Sequence, residues 1–289
     1  MHTSKFAKMS ANPWRSAVPP DPKRYTKLFS SILDIGELLQ VNCSHRHELN
    51  GAGPQFHHRR VKIGELIYRL GQPFESLYIV RFGFVKIVLR NAEGDERVLT
   101  FSMKGSLLGF DGIHDNHYCT EAIALTDGEL VVIPFEYLLG TKCFYRELET
   151  MIYMAISREF TEEHAGISLS SSLKSEARVA YFLEELAKRY AAIGYSSREF
   201  SLPMTRRDIG CYLGLSLETV SRSFSTLALL RIIAVHRQHI KILDPELLHR
   251  FHSSPLTPVQ KARNIRSLSL NPLRLERIDK RSHLFEIEH

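Results

Sequence analysis

Thr205-Arg-Arg-Asp-Ile-Gly-Cys-Tyr-Leu-Gly-Leu-Ser-Leu-Glu-Thr-Val-Ser-Arg-Ser-Phe-Ser-Thr-Leu227 decides how this chain is read. Thr205 is placed to cap a helix that starts at Arg206, with Asp208 near the positive end of its dipole. Ile209, Tyr212 and Leu213 fall on one face of that helix. Gly214 ends it, and Leu215 fills the corner. Ser216 caps a second helix, in which Val220, Phe224 and Leu227 recur at i, i+4 and i+7 and form a buried stripe. Leu217, Glu218, Ser221 and Arg222 lie off that stripe near the helix N-terminus. Two short capped helices around a glycine corner are the pattern of a helix-turn-helix, which lays its second helix in the major groove of DNA. Arg222 suits guanine O6 and N7, Glu218 suits cytosine N4, and Ser221 serves either base. Thr205, Arg206, Arg207, Ser216, Thr219 and His236 are the candidates for phosphate contact, which gives affinity without sequence information. The alternative is a helical hairpin inside a larger core. The polar face at the groove positions, together with both caps, favours the first reading.

Working outward, Ile232, Ile233, Val235, Ile240 and Ile242 suit the buried face of a small hairpin over Arg231–Leu243, which makes the helix-turn-helix a winged one. Leu202–Leu243 carries six Lys and Arg against Asp208 and Glu218, an electrostatic footprint for phosphate. Ser175–Ala192 has Val179, Phe182, Leu183, Leu186 and Tyr190 on one side of a helix. Over 145–166, Leu148, Met151, Ile152, Ala155, Ile156 and Phe160 form another helical stripe. Its apolar partner is either the domain before it or the same helix of a second copy. From His57 to Phe135, short strands over Glu65–Tyr68, Ser76–Val80, Phe84–Leu89, Arg97–Ser102 and Leu130–Ile133 are punctuated by glycines. This predicts an antiparallel barrel or jelly roll. Asn91–Asp95, with Gly94, suits a hairpin turn. Phe29–Leu39 suits a short amphipathic helix.

The expected fold class is therefore α+β. A disordered basic arm (1–27) precedes an N-terminal antiparallel β-barrel (28–142) and a long helix (143–172). A C-terminal winged helix-turn-helix (173–250) and a basic, mostly disordered tail (251–289) follow. The chain is 44% apolar and 24% charged with a net charge of +6, the composition of an ordinary globular protein. It shows neither a signal pattern nor an apolar run of membrane-spanning length, so a cytoplasmic location is expected. The four cysteines, Cys43, Cys119, Cys143 and Cys211, show no C-x-x-C spacing, which argues against a disulfide framework or a dedicated zinc site. Cys43, His45 and His47 alternate and are weak candidates for a metal. Cys211, flanked by Arg206 and Arg207, is a candidate redox thiol.

These motifs resemble the Crp/Fnr family of bacterial transcription regulators, from about Ile63 to Leu247. The likeness is strongest over Met204–Arg222 and over Gly105–Ile113. The Fnr branch carries E-x-x-S-R in its recognition helix, matched by Glu218, Ser221 and Arg222. The resemblance implies a cyclic-nucleotide-binding-like first domain and a homodimer joined through the helix around 145–171, with Leu148, Met151, Ile152, Ala155 and Ile156 at the contact. It implies a TTGAT-like palindrome in double-stranded DNA and an activator that meets RNA polymerase through the loops at Asn91–Glu96, with Glu93, Gly94 and Asp95, and at Ile193–Arg198. Cyclic-nucleotide binders of the family carry an arginine in the segment that corresponds to Leu107–Ala122. There is none here, which argues against cyclic AMP. The cysteine cluster of iron–sulfur members is missing too, as in the FixK branch. No cofactor is expected, and no enzyme activity. The competing reading is a metal- or small-molecule-binding barrel, a sensor or a cupin-like enzyme, to which DNA binding is secondary.

Overall fold

The computed structural model describes residues 25–41, 54–91, 94–138 and 146–253. The chain divides into two compact units, Met1–Ile167 and Ser168–His289. Among the described residues no helix is long and apolar enough to cross a membrane.

The first unit opens with β1 (Tyr25–Ser30) and α1 (Ile32–Leu39). Residues 29–30, expected to begin a helix, belong to the strand instead. The helix starts only after Ser31, whose side chain accepts from Asp34 N while the Asp34 carboxylate accepts from Ser31 N, a capping box that fixes the start. The strands β2 (Phe56–Val61), β3 (Leu66–Tyr68), β4 (Ser76–Phe82), β5 (Val85–Arg90), β6 (Glu96–Ser102), β7 (Leu107–Leu108), β8 (Glu121–Ala124) and β9 (Gly128–Pro134) follow.

These strands do not close into the expected barrel. They form two open antiparallel sheets, one of five strands in the order β1-β2-β9-β4-β7 and one of four in the order β3-β8-β5-β6. No described strand of one sheet pairs with a strand of the other. Alternation fixes which face of a strand is buried, but closure requires hydrogen bonds between the first and last strands, and β7, only two residues long, ends the larger sheet. Both sheets contribute to one apolar core, with Leu77, Ile79, Leu130 and Ile133 from the larger and Ile67, Val85 and Ala122 from the smaller. Tyr68 and Tyr118 stack within it at 4.1 Å between ring centroids. The Tyr118 hydroxyl donates to Ser76 O at 2.7 Å, which satisfies its buried polar end. Burial pushes both phenols far above their ordinary range.

α2 (Arg146–Ser172) answers the question its stripe left open. Leu148, Met151, Ile152 and Ala155 are buried in the core of the first unit, and Ile156 packs against it. Arg158 reinforces this docking: its guanidinium donates to Leu39 O at 2.7 Å and to Gly105 O at 2.9 Å. The neighbouring Glu159 carboxylate accepts from Leu107 N at 3.3 Å. The apolar side chains that this part of α2 leaves exposed are Tyr153 and Met154, with Phe160 about half exposed.

The second unit begins with α3 (Ser175–Ala192), whose Val179, Leu183 and Leu186 are buried as the periodicity requires. Next come β10 (Glu199–Ser201), α4 (Arg206–Leu213), α5 (Leu217–Leu229), β11 (Ile233–His236), β12 (His239–Ile242) and α6 (Pro245–Ser253). The hairpin expected over Arg231–Leu243 forms, and β10 extends it to a three-stranded sheet in the order β10-β12-β11. α6, with Leu248 and Phe251 buried, was not foreseen.

Candidate nucleic-acid interface

Local sequence chemistry sets the angle between α4 and α5. Thr205 caps α4 in a full capping box: Thr205 Oγ1 accepts from Asp208 N at 3.1 Å, and the Asp208 carboxylate accepts from Thr205 N at 2.9 Å. Gly214 ends α4 in the left-handed region at φ 65°, where a Cβ is unfavourable. The Arg178 guanidinium donates to Leu213 O at 3.2 Å, holding the last turn of α4 against α3. Ser216 then caps α5, accepting from Thr219 N at 3.1 Å.

Gly210 has a role that the sequence reading missed. A Cβ built there lies 2.6 Å from Leu215 O. The corner folds back onto the helix at this point, and Leu215 N donates to Gly210 O at 2.9 Å. The available signal was a glycine inside a helix, which is unfavourable unless packing demands it.

On α5, Val220, Phe224 and Leu227 are buried, joined by Ser223. Leu217, Glu218, Ser221 and Arg222 are exposed on the other side. Among the described residues, neither the Glu218 carboxylate nor the Arg222 guanidinium has a hydrogen-bond or ion-pair partner. The Ser221 hydroxyl donates to Leu217 O at 2.9 Å, so its lone pairs face outward as acceptors.

The phosphate candidates separate into different environments. Arg207 and His236 are exposed, His236 on the wing beside Arg237, whose φ of 54° turns the hairpin. Thr205 and Ser216 are spent on caps, and Thr219 shares a 2.9 Å hydrogen bond with Ser216. Arg206 lies with its guanidinium 3.4 Å over the centroid of the Phe224 ring. Burial there lowers its pKa to about 10, and the ring face compensates the cation electrostatically. Arg206→Ala is therefore expected to cost about 1 kcal/mol of stability, read as a lower urea midpoint of the second unit. Unchanged stability would show the stack to be incidental.

Cys211 is a free, half-buried thiol on α4. Cys43, His45, His47 and Glu93 lie outside the described residues. Of the expected polymerase loop, Gly94 takes φ 87° and the Asn91 side chain accepts from Asp95 N at 2.7 Å, a turn held by its own side chains.

The sequence also gave no hint of a Ser-His-Glu arrangement in the first unit. Ser30 Oγ lies 2.8 Å from His58 Nε2, and His58 Nδ1 lies 3.0 Å from Glu129 Oε1. Arg81 donates to the same carboxylate at 2.8 Å. All three members are buried, so a substrate does not reach the hydroxyl. The set acts as a polar strut across β1, β2, β9 and β4.

Two family models match the chain: a Crp-like helix-turn-helix domain over residues 177–251 and a cyclic nucleotide-binding domain over residues 58–141. The transcriptional regulatory protein btr of Bordetella pertussis is 37% identical over 64% of this chain and 76% of its own length. The transcriptional activator protein Anr of Pseudomonas protegens is 34% identical over 65% of this chain and 77% of its own. The solved structure of FixK2 from Bradyrhizobium japonicum is 26% identical and superposes with a TM-score of 0.61, covering 68% of this chain and 96% of its own. With four cysteines scattered at 43, 119, 143 and 211, this chain has no cysteine cluster to hold an iron–sulfur centre. The chain thus belongs to the Crp/Fnr family of DNA-binding transcription regulators and stands close to its Fnr, Anr and FixK members.

Proposed function

We propose that the protein binds, as a homodimer, a DNA palindrome with TTGAT-like half-sites and activates transcription by touching RNA polymerase. The observation that carries this reading is the exposed face of α5. Glu218, Ser221 and Arg222 project from a helix whose other side is fixed in the core, as base-reading side chains must. Arg222 brings donors for guanine, while Glu218 and Ser221 bring acceptors for the amino groups of cytosine and adenine. This acceptor–acceptor–donor order matches the E-x-x-S-R pattern from which the half-site is inferred. Two recognition helices one DNA turn apart, about 34 Å, require a two-fold partner. The five stripe residues Leu148, Met151, Ile152, Ala155 and Ile156 are used within the chain. The dimer contact of α2 therefore falls to the face bearing Tyr153 and, two turns on, Phe160.

Cyclic AMP is not the ligand in this reading. The segment Leu107–Ala122 offers a phosphate no arginine. It carries instead the Asp111 carboxylate, which accepts from Cys119 N at 3.0 Å and Thr120 Oγ1 at 2.9 Å. A phosphodiester placed there meets like charge. The loops at Gly94–Asp95 and at 193–198 are the proposed polymerase contacts. The activator role rests on the likeness to the transcriptional activator Anr of Pseudomonas protegens.

The test is selection of bound duplexes from random-sequence DNA by the full chain, with the stoichiometry of the complex measured. Recovery of a two-fold TTGAT-like site bound by two chains is expected. Asymmetric or unrelated sites would refute the reading. Arg207→Ala is expected to weaken binding to all sequences alike and to lower the salt slope by about two, one for each chain of the dimer, measured by anisotropy titrations at several salt concentrations.

A further inference from the structure

α3 and α6 bring together three side chains that DNA binding does not use. His249 and His252 stand three residues apart on α6 and so share one face. Glu184 comes from α3. His249 Nδ1 lies 3.1 Å and 3.2 Å from the two Glu184 carboxylate oxygens. His252 Nε2 is in hydrogen-bond contact with Glu184 Oε2. One ligand atom from each residue lies within 4.8 Å of the other two.

We propose that Glu184, His249 and His252 bind a divalent transition-metal ion of the zinc, cobalt and nickel class. Ligand type selects this class: imidazole suits these ions, whereas calcium and magnesium take oxygen sets. Spacing agrees, because two ligands bound at about 2.1 Å in tetrahedral array stand about 3.4 Å apart. Lys188 Nζ sits 3.0 Å from Glu184 Oε1 but also 2.7 Å from Glu185 Oε1. It keeps the second partner when an ion takes Glu184. His252 is oriented from the side by the edge-to-face Tyr181 ring at 5.4 Å. The His249 side chain, 58% exposed, gives an ion its entry. A fourth ligand is then water. An ion here joins α6 to α3, so its binding adds to the stability of the second unit.

The experiment uses the full chain, stripped of metal by a chelator, titrated with Co(II) and followed by its visible d–d bands. Thermal melting with and without Zn(II) runs in parallel. One equivalent of Co(II) without a near-ultraviolet thiolate band is expected. His249→Gln, at a side chain 58% exposed, should weaken binding about tenfold or more and abolish the rise in Tm with Zn(II). Cys43→Ser should change neither. The proposal is overturned if wild-type chain binds no Co(II), if His249→Gln and His249→Gln/His252→Gln bind it as the wild type does, or if Cys43→Ser removes the signal. A failure here leaves the DNA-binding reading untouched, because no DNA takes part.

Discussion

Arg222→Ala abolishes discrimination between the palindrome and scrambled DNA, and leaves a weak, salt-sensitive association. The side chain is exposed and has no partner among the described residues. Its removal therefore costs the fold nothing, and the whole effect falls on the complex. One bidentate arginine–guanine contact carries about 1–3 kcal/mol of discrimination. A dimer makes two such contacts, so about 2–6 kcal/mol is lost, or roughly 30-fold to more than 10⁴-fold in affinity. Binding to scrambled duplex should stay near its wild-type value, because that term comes from phosphate contacts. Competition titrations against both duplexes measure the two terms separately. If the variant protects the same palindrome with unchanged affinity, α5 is not the reading helix.

Gly210→Ala destabilises the second unit by about 1–3 kcal/mol or more and removes DNA binding with it. The sign is the informative part. In an ordinary helix interior the same change gains about 1 kcal/mol, because glycine is the poorer helix former. Here the new methyl group sits 2.6 Å from Leu215 O and 3.7 Å from Leu217 N. The first is backbone of the corner and the second the start of α5, so neither moves without moving the recognition helix. The measurement is a urea melt of the second unit beside a DNA titration. A more stable variant with normal binding would show that the corner tolerates a wider gap. Gly214→Ala makes a useful contrast, since its cost of about 1–2 kcal/mol comes from the left-handed φ alone.

Much of the second unit could be read from the chain because its determinants are local. The Thr205 and Ser216 caps, the Gly214 stop and the Val220–Phe224–Leu227 stripe each act within one or two turns. The helix over Ser175–Ala192 was legible for the same reason. The positions of β3, β4, β5, β6 and β9 followed from alternation and turn glycines, whereas β1, β2, β7, β8 and sheet closure did not, because pairing partners are distant in sequence. The partner of Leu148, Met151, Ile152 and Ala155 was undecidable from periodicity, which marks an apolar face without saying what covers it. The same limit hid three other features. Arg206 looks like any exposed basic residue until Phe224, eighteen positions on, folds beneath it. Glu184 and His252 are separated by 68 residues, and His58 and Glu129 by 71. No spacing rule reaches that far.

Arg158 ties together three segments whose breathing motions would otherwise be independent. Its two backbone acceptors, Leu39 O and Gly105 O, end α1 and begin the approach to β7. Moving α2 there breaks both hydrogen bonds, and opening either of the other two segments breaks one of them. Amide protons in the first half of α2 should thus exchange with solvent at the pace of the sheet core, as one cooperative opening. A long surface helix ordinarily frays from its start. This one inherits the protection of the sheets it lies on, and unwinding it there means opening the first unit.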